Sequence, residues 1–426
     1  MNFFPLLILG VSFALGFPCA FALILSVIPY FILDPYISIN VVVQRLISSS
    51  ESISLMAVPF FITAGTIMNY SGISSKLMGL ADALVGHLTG GLGHVNVLLS
   101  TLMGGISGSG AADAAMECKL LVPEMEKRGY DKGFSSAVTA ASAVITPIIP
   151  PGVGLVVFAF VCEVSLGKLM SAGYIPGLML MAGMMILVGI ISRKRKYKPS
   201  RTKRASIREI LHLVKESSWA LFLPFGLIMG LRFGLFTATE GGAMMALYSL
   251  LVGKFVYKEL KFSQLPKILY ESVLSMAAVM LVLTAANVFS YYLSWERIPQ
   301  ALSAVLIEIS NNRYLFLLFV NVLLLILGMF LDGMATMIIL APLLAPVATA
   351  LGIDLVHFGL VMCLNCAIGA ITPPFGTYIF LVAGTVKIQT DILVKELIPF
   401  IFVCIVVLAL VTYFPWFTMV IPNLLF

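Results

Sequence analysis

Long apolar runs separated by short polar stretches dominate the chain. Because about 20 helical residues cross a hydrocarbon core of about 30 Å, each run of that length predicts a transmembrane helix. The unbroken runs cover 3–30, 51–69, 168–191, 217–235, 238–256, 271–291 and 392–421. The first run has neither a basic start nor a small-residue cleavage site, so we interpret it as a retained first helix rather than a signal peptide.

Two further apolar segments, 133–162 and 355–385, are interrupted by proline-rich sequences. The interruptions are Thr146–Gly152, which contains Pro150-Pro151, and Ile371–Gly376, which contains Pro373-Pro374. Proline lacks the backbone N–H that a helix interior needs. Both segments are therefore predicted to be broken helices.

Segments 90–128 and 314–350 are too long for one span and have polar, glycine-rich centres at Gly104–Gly110 and Gly328–Gly333. Two ordinary helices joined by a surface loop would explain each of them. A re-entrant hairpin, whose tip stops inside the membrane, would explain them equally well. The choice between the two depends on the rest of the chain.

An internal repeat favours the re-entrant interpretation. Shifting the sequence by 223 residues superimposes glycine, proline and aspartate positions, whose backbone roles are specific. The matched pairs are Gly105/Gly328, Gly110/Gly333, Pro123/Pro346, Gly129/Gly352, Asp131/Asp354, Pro150-Pro151/Pro373-Pro374 and Pro176/Pro399. We predict a duplicated chain in which each half contains a re-entrant hairpin followed by a broken helix.

This interpretation divides the chain into five segments. They are scaffold helices at 1–70, an interfacial arm with the first hairpin and broken helix at 71–191, a basic cytoplasmic loop at 192–216, scaffold helices at 217–291, and a second arm, hairpin, broken helix and last helix at 292–426. The arms are the short amphipathic stretches 73–87 and 295–311, which are predicted to lie flat in the membrane interface.

The composition agrees with a polytopic all-α membrane protein. Of the 426 residues, 60% are hydrophobic and 11% are charged, whereas a soluble domain has about 25% charged residues. The net charge of +6 does not indicate nucleic-acid binding, because ten of the 26 basic residues lie between Arg193 and Lys215. Basic residues mark cytoplasmic loops. Their distribution predicts a cytoplasmic N-terminus, a periplasmic C-terminus and two halves of inverted topology.

Inverted repeats with broken helices are typical of secondary transporters, whose binding site lies at the membrane midplane. Irregular backbone survives in lipid only where protein, ions or water cover its polar groups. Carbonyl and hydroxyl oxygens beside helix N-termini suit a small hard cation and an anionic substrate. We predict one Na⁺ site in each half, formed by Ser107, Ser109, Gly110, Thr146 and Pro150 in the first and by Asp332, Gly333, Thr336, Thr372 and Pro373 in the second.

Other interpretations of these residues remain open. The serines and glycines could serve only close helix packing. Asp332 is the sharpest candidate, because a carboxylate inside a membrane is costly, and it could also carry a proton. Asp113 and Glu117 are explained equally well by solvation towards the cytoplasm, Glu240 by a structural role, and Cys363 and Cys366 by apolar packing.

The sequence excludes several other classes of function. It has no G-x-x-x-x-G-K-[ST] phosphate loop, so an ion gradient is a more natural energy source than ATP. The four histidines are dispersed, and nothing clusters a nucleophile with a base. We therefore expect neither a catalytic metal centre nor a membrane enzyme.

Several motifs occur in a specific order along the whole chain. They are Gly105–Asp113, Pro123–Tyr130, Ile148–Gly152, Ala172–Gly177, Phe236–Glu240 and Gly328–Asp332. Together they resemble the large membrane subunit (M subunit) of TRAP transporters, the DctM or SiaM type of permease. Two departures are Gly108-Ser109-Gly110, where many relatives have a second serine, and Phe375-Gly376 after the second proline pair.

The resemblance implies an elevator-type secondary transporter in a bacterial inner membrane, driven by a Na⁺ gradient with two or more coupling ions. It implies two partners: a small four-helix membrane subunit, expected to be a separate polypeptide, and a periplasmic substrate-binding protein. It also implies an organic acid as substrate, such as sialic acid, a C4-dicarboxylate or another carboxylate. A carboxylate transporter of the same architecture that needs no binding protein, coupled to Na⁺ or H⁺, is the alternative.

Overall fold

The computed structural model describes residues 3–33, 40–51, 56–298, 300, 301 and 312–426, and this part of the chain contains helices and no strand. The helices of the first half are α1 Phe4–Ala14, α2 Cys19–Leu33, α3 Asn40–Ser50, α4 Ala57–Tyr70, α5 Ile73–Val85, α6 Gly91–Ser107, α7 Gly110–Leu120, α8 Val122–Lys127, α9 Lys132–Ser142, α10 Val153–Val161, α11 Leu166–Ala172 and α12 Tyr174–Arg195. Those of the second half are α13 Ile207–Arg232, α14 Ala238–Leu251, α15 Leu265–Trp295, α16 Arg313–Gly328, α17 Gly333–Ala350, α18 Leu355–Gly369, α19 Thr377–Val386, α20 Thr390–Tyr413 and α21 Trp416–Leu425. The prediction of an all-helical chain is confirmed.

The helices have the dimensions and surface of a multi-pass membrane protein. Four helical stretches in the described residues are long and apolar enough to cross a bilayer: Leu166–Arg195, Phe262–Trp295, Gly333–Ala350 and Thr390–Tyr413. Large apolar side chains are exposed on outer helix faces, among them Phe222, Phe225 and Phe402. Contact with lipid accounts for these exposed faces.

The prediction of a single helix over 3–30 is wrong. The structure divides this run into α1 and α2, which pack against each other. Gly16 has a φ of +77°, a conformation that glycine adopts without steric cost. Pro18 follows Phe17 and disfavours a helical conformation there. The turn is almost as apolar as the helices it joins, so the hydrophobic pattern alone did not reveal it.

The two amphipathic arms have different outcomes. The first arm, 73–87, forms α5, which packs against α6 and α13. The second arm, 295–311, begins where α15 ends at Trp295. Residues 299 and 302–311 of that arm lie outside the described residues.

The hairpin and break segments are divided where glycine and proline occur in the sequence. Only Gly108-Ser109 separates α6 from α7, and Met329–Asp332 separates α16 from α17. The helices of the two halves begin at matching positions: α7 begins at Gly110 and α17 at Gly333, which is 223 residues later. The same offset separates the starts of α9 and α18. One difference is that α17 continues through two internal prolines, whereas α7 ends at Leu120.

The regions after α9 and α18 are irregular for several residues before α10 and α19 begin. The peptide bonds Pro150-Pro151 and Pro373-Pro374 are both cis. The two halves interlock at these breaks, because α10 packs against α17 and α18, and α7 packs against α19. Phe158 of α10 and Phe358 of α18 contact edge to face, with ring centroids 6.5 Å apart. Each broken helix is therefore held by elements of the other half.

Candidate functional site

Both hairpin tips, the first helix break at Pro147 and the two residues that flank the second break, Ala370 and Thr377, face one cavity of about 470 Å³. Helices α4 and α15 close its other side with Thr66, Asn69 and Ser275. Five of the ten predicted site residues line it, namely Ser107, Ser109, Gly110, Asp332 and Gly333. The other five, Thr146, Pro150, Thr336, Thr372 and Pro373, are not among the lining residues.

Four helices begin at this cavity. The first turns of α7, α10, α17 and α19 contribute Gly110, Val153, Gly333 and Thr377 to its lining. Helix N-termini carry partial positive charge and unpaired N–H groups, so they attract anions. None of the described residues that line the cavity is lysine, arginine or histidine. The backbone is therefore the main source of positive potential from the protein at this site.

The first tip is held tightly against the first break. Gly108 has a φ of +59°, and its carbonyl oxygen accepts a hydrogen bond from the Val153 amide at 3.3 Å. A Cβ at this position would clash with the carbonyl group of Pro151. The tip therefore requires glycine both for its backbone conformation and for its close packing.

The two serines of the first tip have different environments. Ser109 precedes α7, and its hydroxyl accepts a hydrogen bond from the Ala112 amide at 3.4 Å. The Ser107 hydroxyl is buried and has no hydrogen-bond partner among the described residues. A buried hydroxyl without a partner is costly, and a bound cation beside it would supply one. Ser107 therefore fits the predicted Na⁺ site.

Asp332 occupies the second tip and caps α17. Its Oδ1 accepts hydrogen bonds from the amides of Met334 at 3.0 Å and Ala335 at 3.3 Å. The residue is exposed to the cavity, so its carboxylate is not stranded in an apolar core. The cap explains part of its presence here, and its second carboxylate oxygen faces no donor among the described hydrogen bonds.

The threonines near the tips and breaks bond to neighbouring oxygens. Thr336 donates to the Asp332 carbonyl at 3.0 Å, and Thr372 donates to the Ile368 carbonyl at 2.8 Å. The Thr146 hydroxyl lies 2.7 Å from Asp113 Oδ2. Each hydroxyl oxygen retains lone pairs, so these contacts leave the threonines able to coordinate a cation.

The interpretation that Asp113 and Glu117 are solvated towards the cytoplasm is wrong. Both side chains are buried, with relative exposures of 1% and 0%. They lie on the face of α7 that packs against α6 and α9, where Ser100 and Ser142 contact Glu117. The hydroxyl of Thr146 contacts Asp113. The spacing of four residues between the two acids indicated a shared face, but the chemistry of carboxylates suggested that this face would be wet.

Other cavity residues could not be assigned from the sequence. Asn69, Thr66 and Tyr378 reach the site through tertiary packing of α4 and α19. The Tyr378 hydroxyl lies so close to Gly110 that a Cβ there would clash with it. Their spacing along the chain gives no signal that relates them to the hairpin tips.

The remaining candidates from the sequence are Glu240, Cys363 and Cys366. Glu240 completes a capping box with Thr237 at the start of α14, which is the structural role expected for it. Cys363 and Cys366 are free thiols on α18 that line the cavity. The Cys363 sulfur lies 3.5 Å from the sulfur of Met337.

The chain is similar to known transport permeases along its whole length. Residues 6–417 match the family model described as tripartite ATP-independent periplasmic transporter, DctM component. The large permease protein SiaM of a sialic acid TRAP transporter from Vibrio cholerae is 39% identical, over 98% of this chain and 97% of its own length. The large permease protein DctM of a C4-dicarboxylate TRAP transporter from Pseudomonas aeruginosa is 34% identical, over 91% of this chain and 90% of its own length.

The fold is also similar to that of solved transporters. The crystal structure of the YdaH transporter from Alcanivorax borkumensis superimposes with a TM-score of 0.62, covering 97% of this chain and 98% of the transporter chain at 15% identity. These relatives are transport proteins and not enzymes, in agreement with the sequence. The chain belongs to the DctM family, the large permease component of tripartite ATP-independent periplasmic (TRAP) transporters.

Proposed function

We propose that this chain is the membrane permease of a Na⁺-coupled importer for an organic acid. The observation that carries the proposal is a cavity entered by four helix N-termini and lined by no basic side chain among the described residues. Such a cavity favours an anion, because the amide dipoles point their positive ends into it. Bound cations would add the positive charge that the side chains do not provide.

The Na⁺ sites are proposed at the two tips and breaks. The first would use oxygens of Ser107, Ser109, Gly110, Thr146 and Pro150, and the second those of Asp332, Gly333, Thr336, Thr372 and Pro373. Two observations support this placement. The Ser107 hydroxyl has no hydrogen-bond partner among the residues that the structure describes, and Asp332 lies at the cavity. Bound Na⁺ would draw the tips towards the breaks and increase the affinity for a carboxylate between them.

The movement is proposed to be of the elevator type. The halves would be inverted repeats with re-entrant hairpins, as the common spacing of their helix starts suggests. The hairpins, breaks and α20 pack together as the body that would move. Helices α4, α14 and α15 pack together on the other side of the cavity and would remain fixed as the scaffold.

The membrane and partners follow from family membership and charge. We infer an inner-membrane location with the N-terminus in the cytoplasm and the C-terminus in the periplasm. A small four-helix subunit would pack against the scaffold, and a periplasmic binding protein would deliver the substrate. Sialic acid and C4-dicarboxylates are the substrate classes named for the relatives, so both are suitable probes.

Reconstitution in proteoliposomes tests the proposal. The permease, its small subunit and the cognate binding protein are assembled together, and uptake of labelled sialic acid or succinate is measured with an inward Na⁺ gradient. The expected result is uptake that stops when K⁺ replaces Na⁺. Uptake that is indifferent to Na⁺ would overturn the coupling, and uptake by the permease without a binding protein would support the independent carboxylate transporter.

A further inference from the structure

The first hairpin contains two buried acidic residues, and neither is part of the proposed Na⁺ sites. Asp113 and Glu117 lie one turn apart on α7, with relative exposures of 1% and 0%. In the described part of the chain, neither forms an ion pair with a basic residue. Two ionised carboxylates at this spacing would repel each other in a medium of low dielectric constant. A positive counter-charge must therefore be present.

The hydrogen bonds around Glu117 determine where hydrogen atoms can be. On α9, Thr139 donates to the Ser135 carbonyl at 3.0 Å, so its oxygen accepts from the Asn96 amide at 2.8 Å. The Asn96 oxygen in turn accepts from Ser142 at 2.8 Å. Ser142 Oγ also lies 3.2 Å from the Thr139 carbonyl oxygen, but its single hydroxyl hydrogen is directed to the nearer acceptor, the Asn96 oxygen, which has no other donor among the described hydrogen bonds.

The same serine faces the carboxyl group of Glu117. Ser142 Oγ lies 3.4 Å from Glu117 Oε2, and with its own hydrogen directed to Asn96 it can only accept there. A hydrogen on Glu117 Oε2 completes this contact. Ser100 Oγ, 2.9 Å from Oε1, donates from α6 to the other oxygen of the carboxyl group.

The carboxylate of Asp113 adds negative charge one helical turn from Glu117. Asp113 Oδ1 is buried and has no hydrogen-bond partner among the described residues. Neither Asp113 nor Glu117 lines the cavity at the tips. A proton can neutralise Glu117 within the observed packing.

We propose that Glu117 is a proton-binding site inside the membrane domain. At neutral pH its side chain is a carboxylic acid whose O–H group donates a hydrogen bond to Ser142. The titratable groups beside it are Asp113 and Cys118 of its own helix. The groups that face it from α6 and α9, Ser100 and Ser142, are uncharged. The proton joins α7 to α9, and the hydrogen bond donated by Ser100 joins α7 to α6. This site goes beyond the proposed transport function and does not depend on sodium coupling.

Infrared spectroscopy of the purified full-length permease tests the proposal directly. A protonated carboxylic acid has a carbonyl-stretch band that an ionised carboxylate lacks. We expect this band at neutral pH in the wild type, a shift of it in D₂O, and loss of one component in Glu117→Gln. The exposed Glu126 provides the matched control, because Glu126→Gln should leave the band unchanged.

Two outcomes would overturn the proposal. The first is a wild-type spectrum at neutral pH with no protonated-carboxyl band, which needs no variant at all. The second is an unchanged band in Glu117→Gln when that variant elutes and absorbs as a folded helical protein. Because neither measurement involves transport, both are independent of whether uptake requires Na⁺.

Discussion

Gly328 and Gly369 place the backbones of α16 and α18 in direct contact beside the second tip. A Cβ on Gly328 would lie 2.9 Å from the Cα of Gly369, and a Cβ on Gly369 would lie 2.7 Å from the Cα of Gly328. Only backbone atoms meet there, so no flexible side chain can move aside. Gly328 is also a position where the internal repeat matches, paired with Gly105, whose Cβ would lie 3.1 Å from the ring of Pro224.

Gly369→Ala should therefore destabilise the permease. A methyl group forced into a backbone contact shifts both helices, which costs about 1–3 kcal/mol. Thermal unfolding in detergent, followed by intrinsic fluorescence, measures the loss. Gly384→Ala in α19 is the control, because a Cβ there meets nothing within 4 Å and alanine favours the helix. Equal melting temperatures for Gly369→Ala and the wild type would refute the close contact.

Arg195 connects three elements at the polar end of α12. Its guanidinium contacts both carboxylate oxygens of Glu396 in α20, at 2.8 and 2.7 Å, and Asp131 before α9 at 3.1 Å. All three side chains are partly exposed. Nη2 contacts both oxygens of Glu396 while Nη1 contacts Asp131, so two separate guanidinium nitrogens hold the two carboxylates, which a single lysine ammonium cannot reproduce.

Arg195→Lys should lower stability by about 0.2–1 kcal/mol, the usual range for a partly exposed ion pair. High salt should reduce the difference, since it screens the pair. Thermal unfolding at low and high ionic strength measures both effects. Lys194→Ala, at an exposed neighbouring position, should be close to neutral. A loss that is the same at all salt concentrations would indicate packing rather than charge.

The sequence revealed the irregular parts of the site better than the regular ones. Gly108, Pro150 and Pro373 were predictable because glycine and proline restrict the backbone wherever they occur. The turn at Gly16 was missed because its neighbours are apolar on both sides. Glu117 was misjudged because burial of a carboxyl group depends on hydrogen-bond partners such as Ser142, which lie on another helix.

Residues that reach the site through tertiary packing had no local signal. Tyr378 approaches Gly110 because α19 packs against α7. Asn69 reaches the cavity because α4 passes the first tip, where a Cβ on Gly65 would lie 2.9 Å from the Ser107 carbonyl oxygen. Neither contact can be predicted from a single sequence, because each joins segments that are far apart along the chain.

Ser107→Ala should weaken Na⁺ binding without weakening the fold. In the absence of Na⁺ the Ser107 hydroxyl has no partner to lose in the described part of the chain, so stability should be unchanged or slightly higher. Bound Na⁺ would stabilise the native state by RT ln(1 + [Na⁺]/Kd), and the resulting rise in melting temperature should shrink in the variant. A titration of melting temperature against NaCl, with choline chloride holding the ionic strength constant, measures it.

Ser136→Ala is the matched control for this variant. Ser136 is also a buried serine whose hydroxyl has no partner among the described residues, but it does not line the cavity. Its sodium response should equal that of the wild type. If the two variants respond to Na⁺ identically, the hydroxyl of Ser107 is not a ligand.

Two variants of Asp332 can separate its role as a helix cap from its role towards a cation. Asp332→Asn keeps an oxygen that can accept from the amides of Met334 and Ala335, but it removes the negative charge. Asp332→Ala removes both. A lost N-cap costs about 0.5–2 kcal/mol.

In sodium-free buffer, Asp332→Ala should therefore melt below the wild type, and Asp332→Asn should remain near it. In sodium, both variants should lose most of the Na⁺-induced rise in melting temperature, because the carboxylate would supply the charge that holds the proposed ion beside Gly333. The measurement is the same NaCl titration. An undiminished sodium response in Asp332→Asn, together with a destabilised Asp332→Ala, would leave Asp332 as a cap only, and the second cation would then have to be held by neutral oxygens alone.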